Sequence, residues 1–268
     1  MPVRDEAWPN GTPCWIDCQV DDTSAAREFY TRLFGWEVYD SPEEAGGYLM
    51  AYKNDKPVAG IGPKPDTMPM PSVWTTYFAA DSADDVAASI TAAGGQLMMP
   101  PFDVLDVGRM FMAADPTGAM FGVWQAKTHK GAAVYNEHGA YCWNELHTRE
   151  YGRAQEFYGQ VFGWTFTEIG DGEHMVYSTF ANPGSDAGVG GVNDDTLMAP
   201  EGPAYWLTWF QVDDADAATS QAAELGSKVL MGPETSTFGR MTILQAPQGE
   251  ILGIIDMTTT AQAQTPTA

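Results

Sequence analysis

Eight of the 22 positions from Trp15 to Trp36 recur identically at an offset of 128 residues, between Trp143 and Trp164. The recurring set includes Glu28-Phe29-Tyr30 with Glu156-Phe157-Tyr158, and Phe34-Gly35-Trp36 with Phe162-Gly163-Trp164. Rare aromatic residues matched in order at a fixed offset mean an internal duplication, and a duplicated chain folds as two like halves. The match continues: Trp74 pairs with Trp206 and Gly94 with Gly226 at an offset of 132, and Gly108-Arg109-Met110 with Gly239-Arg240-Met241 at 131. Asp115-Pro116-Thr117-Gly118 corresponds to Ala246-Pro247-Gln248-Gly249. The two copies span residues 10–128 and 135–257, with a short link around Lys127 to His138 and a tail, 258–268, expected to fray.

Each copy divides again. Residues 13–20 alternate as a strand, and Ala26, Phe29, Tyr30 and Leu33 fall at helical spacing. Asp22 or Thr23 is placed to cap that helix and Gly35 to end it. Strands are expected near 37–40, 48–53 and 57–62. The pattern then restarts with a strand at 72–80, a helix face of Val86, Ala87, Ile90 and Ala93 stopped by Gly94, and strands near 96–98, 109–114 and 119–125. The elementary unit is βαβββ, present four times. One helix covers only one face of four strands, so the other face must line a cavity or find a partner. The expected class is therefore α+β: two domains of two units each, with curved, cupped mixed sheets and helices on the outer face. Which units pair, one with two or one with four, is open at this level.

The run Trp15-Ile-Asp-Cys-Gln-Val-Asp-Asp, then Glu-Phe-Tyr and Leu-Phe-Gly-Trp, then an Asp-Pro-x-Gly hairpin, resembles the vicinal oxygen chelate superfamily. That group holds glyoxalases, extradiol dioxygenases, and fosfomycin- and bleomycin-resistance proteins. The likeness extends over all four units and is nearest to tandem glyoxalase-like proteins of actinobacteria labelled "hydroxylase" or antigen. It implies a metal test, because metal-dependent members place one ligand on the first strand of a unit and others on its last strand. Those places hold Trp15, Trp143, Trp74 and Trp206 on first strands, and Gly122, Gly253, Gly60 and Gly191 on last strands. Indole and glycine offer a divalent cation no oxygen, thiolate or imidazole. No metal and no cofactor is expected. A large indole can instead cover the patch a sheet glycine leaves bare.

Alternation fixes which residues share a face. With Trp15 facing into the cup go Asp17 and Gln19; with Trp143 go Glu145 and His147. The next first strands are read as adding Trp74, Thr76 and Phe78, then Trp206, Thr208 and Phe210, and the last strand as adding Met120 and Trp124. Such cups, aromatic and methionine-rich with a few polar groups, suit a flat small molecule. Glu145 and His147, two apart on one strand face, are candidate acid–base groups with His147 as the base, and Asp17 is their counterpart in the first copy. The alternative is a pair that only satisfies itself in the sheet. Arg109 and Arg240 are read either as strand anchors or as rim cations that orient a ligand.

A formal net charge of −23 repels nucleic acid and anionic membrane surfaces and favours neutral or cationic small ligands. No uninterrupted apolar run approaches a membrane span and the N-terminus has no apolar signal core, so the expected compartment is the cytoplasm. Cys14, Cys18 and Cys142 fit neither a disulfide framework nor a zinc ribbon. Because the duplication supplies its own pairing, a monomer is expected. The functional expectation is a metal-independent binder of a hydrophobic or aromatic metabolite. The alternatives are a metal-free lyase, isomerase or hydroxylation-associated enzyme acting through Glu145 and His147, and, further off, a divalent-metal glyoxalase or dioxygenase.

Overall fold

A computed structural model of the chain describes residues 3–65, 70–170, 175–195 and 202–261. The first copy holds β1 (Pro13–Val20), α1 (Thr23–Phe34), β2 (Glu37–Asp40), β3 (Leu49–Lys53) and β4 (Lys56–Pro63). It goes on through β5 (Val73–Ala79), α2 (Ala83–Ala92), β6 (Gln96–Leu97), β7 (Phe102–Val104), β8 (Gly108–Ala114) and β9 (Met120–Ala126). The second copy repeats this as β10 (Tyr141–Thr148), α3 (Tyr151–Phe162), β11 (Thr165–Glu168), β12 (Tyr177–Ala181) and β13 (Gly188–Asp194). It ends with β14 (Tyr205–Gln211), α4 (Ala215–Glu224), β15 (Lys228–Thr235), β16 (Arg240–Gln245) and β17 (Ile251–Asp256). The sequence pattern did not announce the short β7. No described helix is long and apolar enough to cross a membrane.

Consecutive units share a sheet. The first runs β2-β3-β4-β1-β5-β9-β8-β6, with β7 also on β8; the second runs β11-β12-β13-β10-β14-β17-β16-β15. Within a unit the first and last strands are parallel; the two units of a sheet meet antiparallel at β1–β5 and β10–β14. Asp22 caps α1, its side chain accepting from the Ser24 and Ala25 amides, and Gly35 ends the helix in the left-handed region at φ 72°. Gly163 ends α3 in the same way.

The helix-bearing faces of the two sheets meet each other, so the core is shared between the halves. One cluster joins Phe29, Tyr30 and Phe34 of α1 to Ala218 and Ala222 of α4; another joins Val86 and Ile90 of α2 to Phe157 and Phe162 of α3. The repeated aromatics are the cross-links. Trp74 Nε1 donates to Tyr30 Oη at 3.0 Å, and Tyr30 Oη donates to Glu250 of the other half at 2.9 Å. The duplicate relay runs from Trp206 to Tyr158 at 3.0 Å and on to Asp115 at 3.0 Å. Trp36 Nε1 donates to Gly139 O and Trp164 Nε1 to Gly11 O. The Phe-Tyr and Phe-Gly-Trp signature thus builds the joint between the copies.

Candidate functional site

The face of each sheet that turns away from the helices forms a cup. The antiparallel register sets what points into it, because residues paired across strands share a face. In the first half Trp15 pairs with Tyr77, Asp17 with Thr75 and Gln19 with Val73. In the second, Trp143 pairs with Trp209, Glu145 with Leu207 and His147 with Tyr205. β1 and β10 thus present these residues to the cups, but the expected faces of β5 and β14 need correcting. Trp74 pairs with Cys18 and Thr76 with Ile16, on the helix face. Trp74, Thr76, Phe78, Trp206, Thr208 and Phe210 all lie in the shared core: Phe78 stacks edge-on against Trp206 at 5.0 Å and Trp74 against Phe210 at 5.1 Å. Thr76 and Thr208 both donate to Asn144 Oδ1, at 2.8 and 3.1 Å.

In the first cup a carboxylate is enclosed by phenols. Tyr77 Oη donates to Asp17 Oδ2 at 2.9 Å and Tyr48 Oη at 3.2 Å, while Trp15 Nε1 donates to Tyr48 Oη at 3.0 Å. Asp17 is 3% exposed and its Oδ1 has no hydrogen-bond partner. Burial pushes its carboxyl up to about 6, against the lowering effect of hydrogen bonds from Tyr77, Gln19 and Tyr48.

In the second cup the imidazole is clamped. His147 Nδ1 lies 3.1 Å from Asp195 Oδ2 and Nε2 lies 2.8 Å from Glu145 Oε1, a close ionic approach without hydrogen-bond alignment. Tyr205 stacks flat on the ring at 4.8 Å and 5°. Burial alone pushes His147 down, but the hydrogen bond to Asp195 and the attraction of both carboxylates outweigh it and carry the pKa up to about 9. The raised pKa favours the protonated imidazole near neutral pH. The two carboxylates approach opposite ring nitrogens, so they do not converge on a point where a cation could sit. Asp195, 48 residues away, carried no signal in the sequence.

The last-strand glycines are covered, though by rings other than those expected. A Cβ on Gly122 would meet Tyr77 at 2.1 Å, on Gly253 Trp209 at 2.2 Å, on Gly60 Tyr48 at 1.7 Å and on Gly191 Tyr177 at 1.9 Å. Tyr77 and Trp209 are the register partners of Gly122 and Gly253, a pairing that an aromatic-opposite-glycine rule would have found. The positions from which the resemblance draws metal ligands thus offer no donor, and ring atoms fill the space a longer side chain would need. The residues do not fit a divalent metal. Among the described residues no three His, Cys, Asp or Glu side chains are grouped to hold one.

Both arginines are tied to helix carboxylates. Arg109 holds Asp84 of α2 through two bonds of 3.0 and 2.9 Å, and Arg240 holds Asp216 of α4 at 2.5 and 2.7 Å. Trp124 does face the first cup, over Gly108, and Met120 is 41% exposed. His129 lies against Trp15, ring centroids 4.4 Å apart; His138 accepts from the Asp213 amide at 3.1 Å; His174 lies outside the described residues. Cys14 and Cys18 are buried, Cys142 is partly so, and all three are free; burial raises each thiol pKa.

This architecture has relatives. Residues 14–123 and 143–253 each match the family model described as Glyoxalase/Bleomycin resistance protein/Dioxygenase superfamily. "Putative glyoxylase CFP32" of Mycobacterium tuberculosis is 43% identical over 260 residues, covering 95% of this chain and 98% of that protein. "Anthracycline biosynthesis protein DnrV" of Streptomyces peucetius is 34% identical over 261 residues, covering 92% of this chain and 94% of that one. Among solved structures, the Mn(II)-bound glyoxalase from Novosphingobium aromaticivorans superposes with a TM-score of 0.63 at 16% identity, covering 96% and 89% of the two chains. The 2,3-dioxygenase LapB from Pseudomonas sp. KL28 does so at 0.65 and 14%, covering 96% and 95%. These structural likenesses speak to the fold alone. With both repeats matched, the chain belongs to the glyoxalase/bleomycin resistance protein/dioxygenase superfamily.

Proposed function

We propose that the protein binds a flat, hydrophobic small molecule in an aromatic-lined cup, without a resident divalent metal. The carrying observation is that rings of Tyr48, Tyr77, Tyr177 and Trp209 stand over the glycines at the family's ligand positions. This turns a coordination site into a stacking surface. Around Trp209 in the second half, Cys142, Trp143, Tyr205, Met231, Met241 and Ile243 remain partly exposed, and soft, polarisable side chains of this kind suit ring systems. A net charge of −23 favours a neutral or basic ligand. One relative is named for anthracycline biosynthesis. On this reading the chain works as a cytoplasmic monomer.

A second reading keeps the same ligand and adds chemistry. The Glu145–His147–Asp195 array holds a proton at His147 beside a carboxylate, so Glu145, 2.8 Å from the buried Nε2, is the group that would relay it to a ligand oxygen in a metal-free lyase or isomerase step. The test is titration of the purified protein with 1,8-dihydroxyanthraquinone, followed by tryptophan quenching, together with metal analysis and product analysis. Micromolar binding with no stoichiometric metal and no product supports sequestration. Product formation that disappears in Glu145→Gln supports the enzyme. Stoichiometric metal whose removal abolishes function would sink both.

A further inference from the structure

The two cups are closed differently. After β9, residues 127–134 cross the first. The Lys127 and His129 amides both donate to Val107 O, at 3.1 and 3.0 Å, the Ala132 amide to Cys14 O at 2.8 Å and the Ala133 amide to Pro57 O at 2.8 Å. This strap inserts His129 at right angles to Trp15, 4.4 Å and 88°, and 5.5 Å from Trp124. Trp124 Nε1 fixes it by donating to His129 O at 3.0 Å. Trp15, Tyr77 and Trp124 are left 4, 5 and 7% exposed. Burial pushes the His129 pKa down to about 4, so the inserted ring is uncharged at physiological pH.

Among the described residues, the second cup repeats the frame without the strap. Trp143 Nε1 donates to Tyr177 Oη at 2.8 Å, just as Trp15 donates to Tyr48, so the two indoles are held alike. Trp143 is only half-buried, as are Tyr205, Met241 and Ile243, and Ile255 stands where Trp124 stands in the first copy. Among the described residues after β17, the chain turns back instead of crossing. Asp256 takes the Thr258 and Thr259 hydroxyls at 2.6 and 2.8 Å, and the Ala261 amide reaches Ser236 O at 2.8 Å.

We propose that ligand enters the second cup alone, and that His129 is a built-in stand-in for it: a planar ring set crosswise on the first-strand tryptophan. This rests on the binding reading above and names its site and ligand class. The ligand is a neutral planar ring system lying crosswise on Trp143. An anionic ring is disfavoured, because two carboxylates flank the one imidazolium there.

The test combines native mass spectrometry with 1,8-dihydroxyanthraquinone, at mildly acidic pH where it is neutral, and oxidative footprinting of the free protein. One probe should bind per chain. Trp143→Ala should weaken it about tenfold or more, the worth of a lost aromatic contact. Met241→Gln, at a half-buried position that tolerates polarity, should weaken it as well. His129→Ala should leave that site intact and admit a second, weaker probe. Footprinting should oxidise Trp143 and Met241 while sparing Trp15, until His129 is removed. Two equal probes in the native protein, or one probe that survives both second-cup variants and is lost in Trp15→Ala, overturns the assignment while leaving the binding reading standing. Failure of any neutral aromatic to bind overturns both.

Discussion

The sharpest consequence of the ring-over-glycine arrangement concerns Gly253. A Cβ there would lie 2.2 Å from Trp209 Cε3, 2.4 Å from Cδ2 and 2.7 Å from Cζ3. Carbon atoms in ordinary contact stand roughly 3.5–4.0 Å apart, so the indole must retreat by more than an ångström. Trp209 is 4% exposed and wedged between Leu207 and Ile255, and overpacking of that order costs about 1–3 kcal/mol. Relief of the backbone freedom that glycine brings to a strand returns about 0.5–1 kcal/mol. Gly253→Ala should therefore destabilise by about 1 kcal/mol at the middle of both ranges, and by up to about 2.5 kcal/mol. The halves share a core, so with a single joint transition the middle value corresponds to a fall in melting temperature of roughly 2–4 °C. Urea unfolding followed by circular dichroism reads it directly. Trp209→Leu removes the obstacle, so the double variant should be less damaged than the sum of the singles by about 1 kcal/mol or more. Gly152 in α3 is the control: nothing stands within 4 Å of where its Cβ would lie, and Gly152→Ala should stabilise by about 0.5–1 kcal/mol. A Gly253→Ala protein as stable as the parent, or strict additivity with Trp209→Leu, would refute the arrangement.

Two pH-dependent effects follow from the cups. His147 binds its proton more tightly folded, at about 9, than its ordinary 6.5, so its contribution is fully present below pH 6.5 and lost as pH rises through 9. The full loss is about 3 kcal/mol; unfolding free energies at pH 6 and pH 9 should differ by that order, and His147→Gln should flatten the difference. Asp17 also has a raised folded pKa, about 6 against 3.8, so its contribution is present at pH 3 and gone by pH 7. Asp17→Asn should accordingly stabilise the protein near neutrality by up to about 3 kcal/mol and leave it unchanged at pH 3. In that variant stability should then rise between pH 4 and 6.5, because His129, held down at about 4, takes up a proton on unfolding in that window.

The duplication, the fold class and the helix caps were legible because each rests on local signals: matched aromatics, helical spacing, a capping aspartate, a left-handed glycine. The faces of β5 and β14 were not. Both strands are apolar on both sides, as Val73-Trp-Thr-Thr-Tyr-Phe-Ala79 shows, so hydrophobic alternation could not choose between them. The absolute face depends on pairing across the sheet, Cys18 with Trp74, and that register shifts at an irregularity between Pro13 and Trp15. Asp195 reaches His147 only through the β10–β13 pairing, and the strap looked like an ordinary linker because its role depends on where β1 and β4 lie.

One signal in the chain would have settled the faces. Set β5 against β14 at their offset: Trp74 and Trp206 agree, Thr76 and Thr208 agree, Phe78 and Phe210 agree, while Val73, Thr75, Tyr77 and Ala79 face Tyr205, Leu207, Trp209 and Gln211. Agreement alternates with change. The agreeing positions form the joint, where each copy is the other's environment, so both meet the same steric demand. The changing positions face the cups, where nothing forces the copies to match. The same logic runs through Asp17 and Glu145, Gln19 and His147, and Trp124 and Ile255, all cup-facing and all different. Change is not confined to the cups, since Ile16 and Cys18 of the joint correspond to Asn144 and Leu146 and cup-facing Trp15 recurs as Trp143, but along β5 and β14 it falls on the cup side alone. The first cup holds a carboxylate bonded by two phenols and a histidine set against Trp15, and the second a half-buried Trp143 beside the clamped His147.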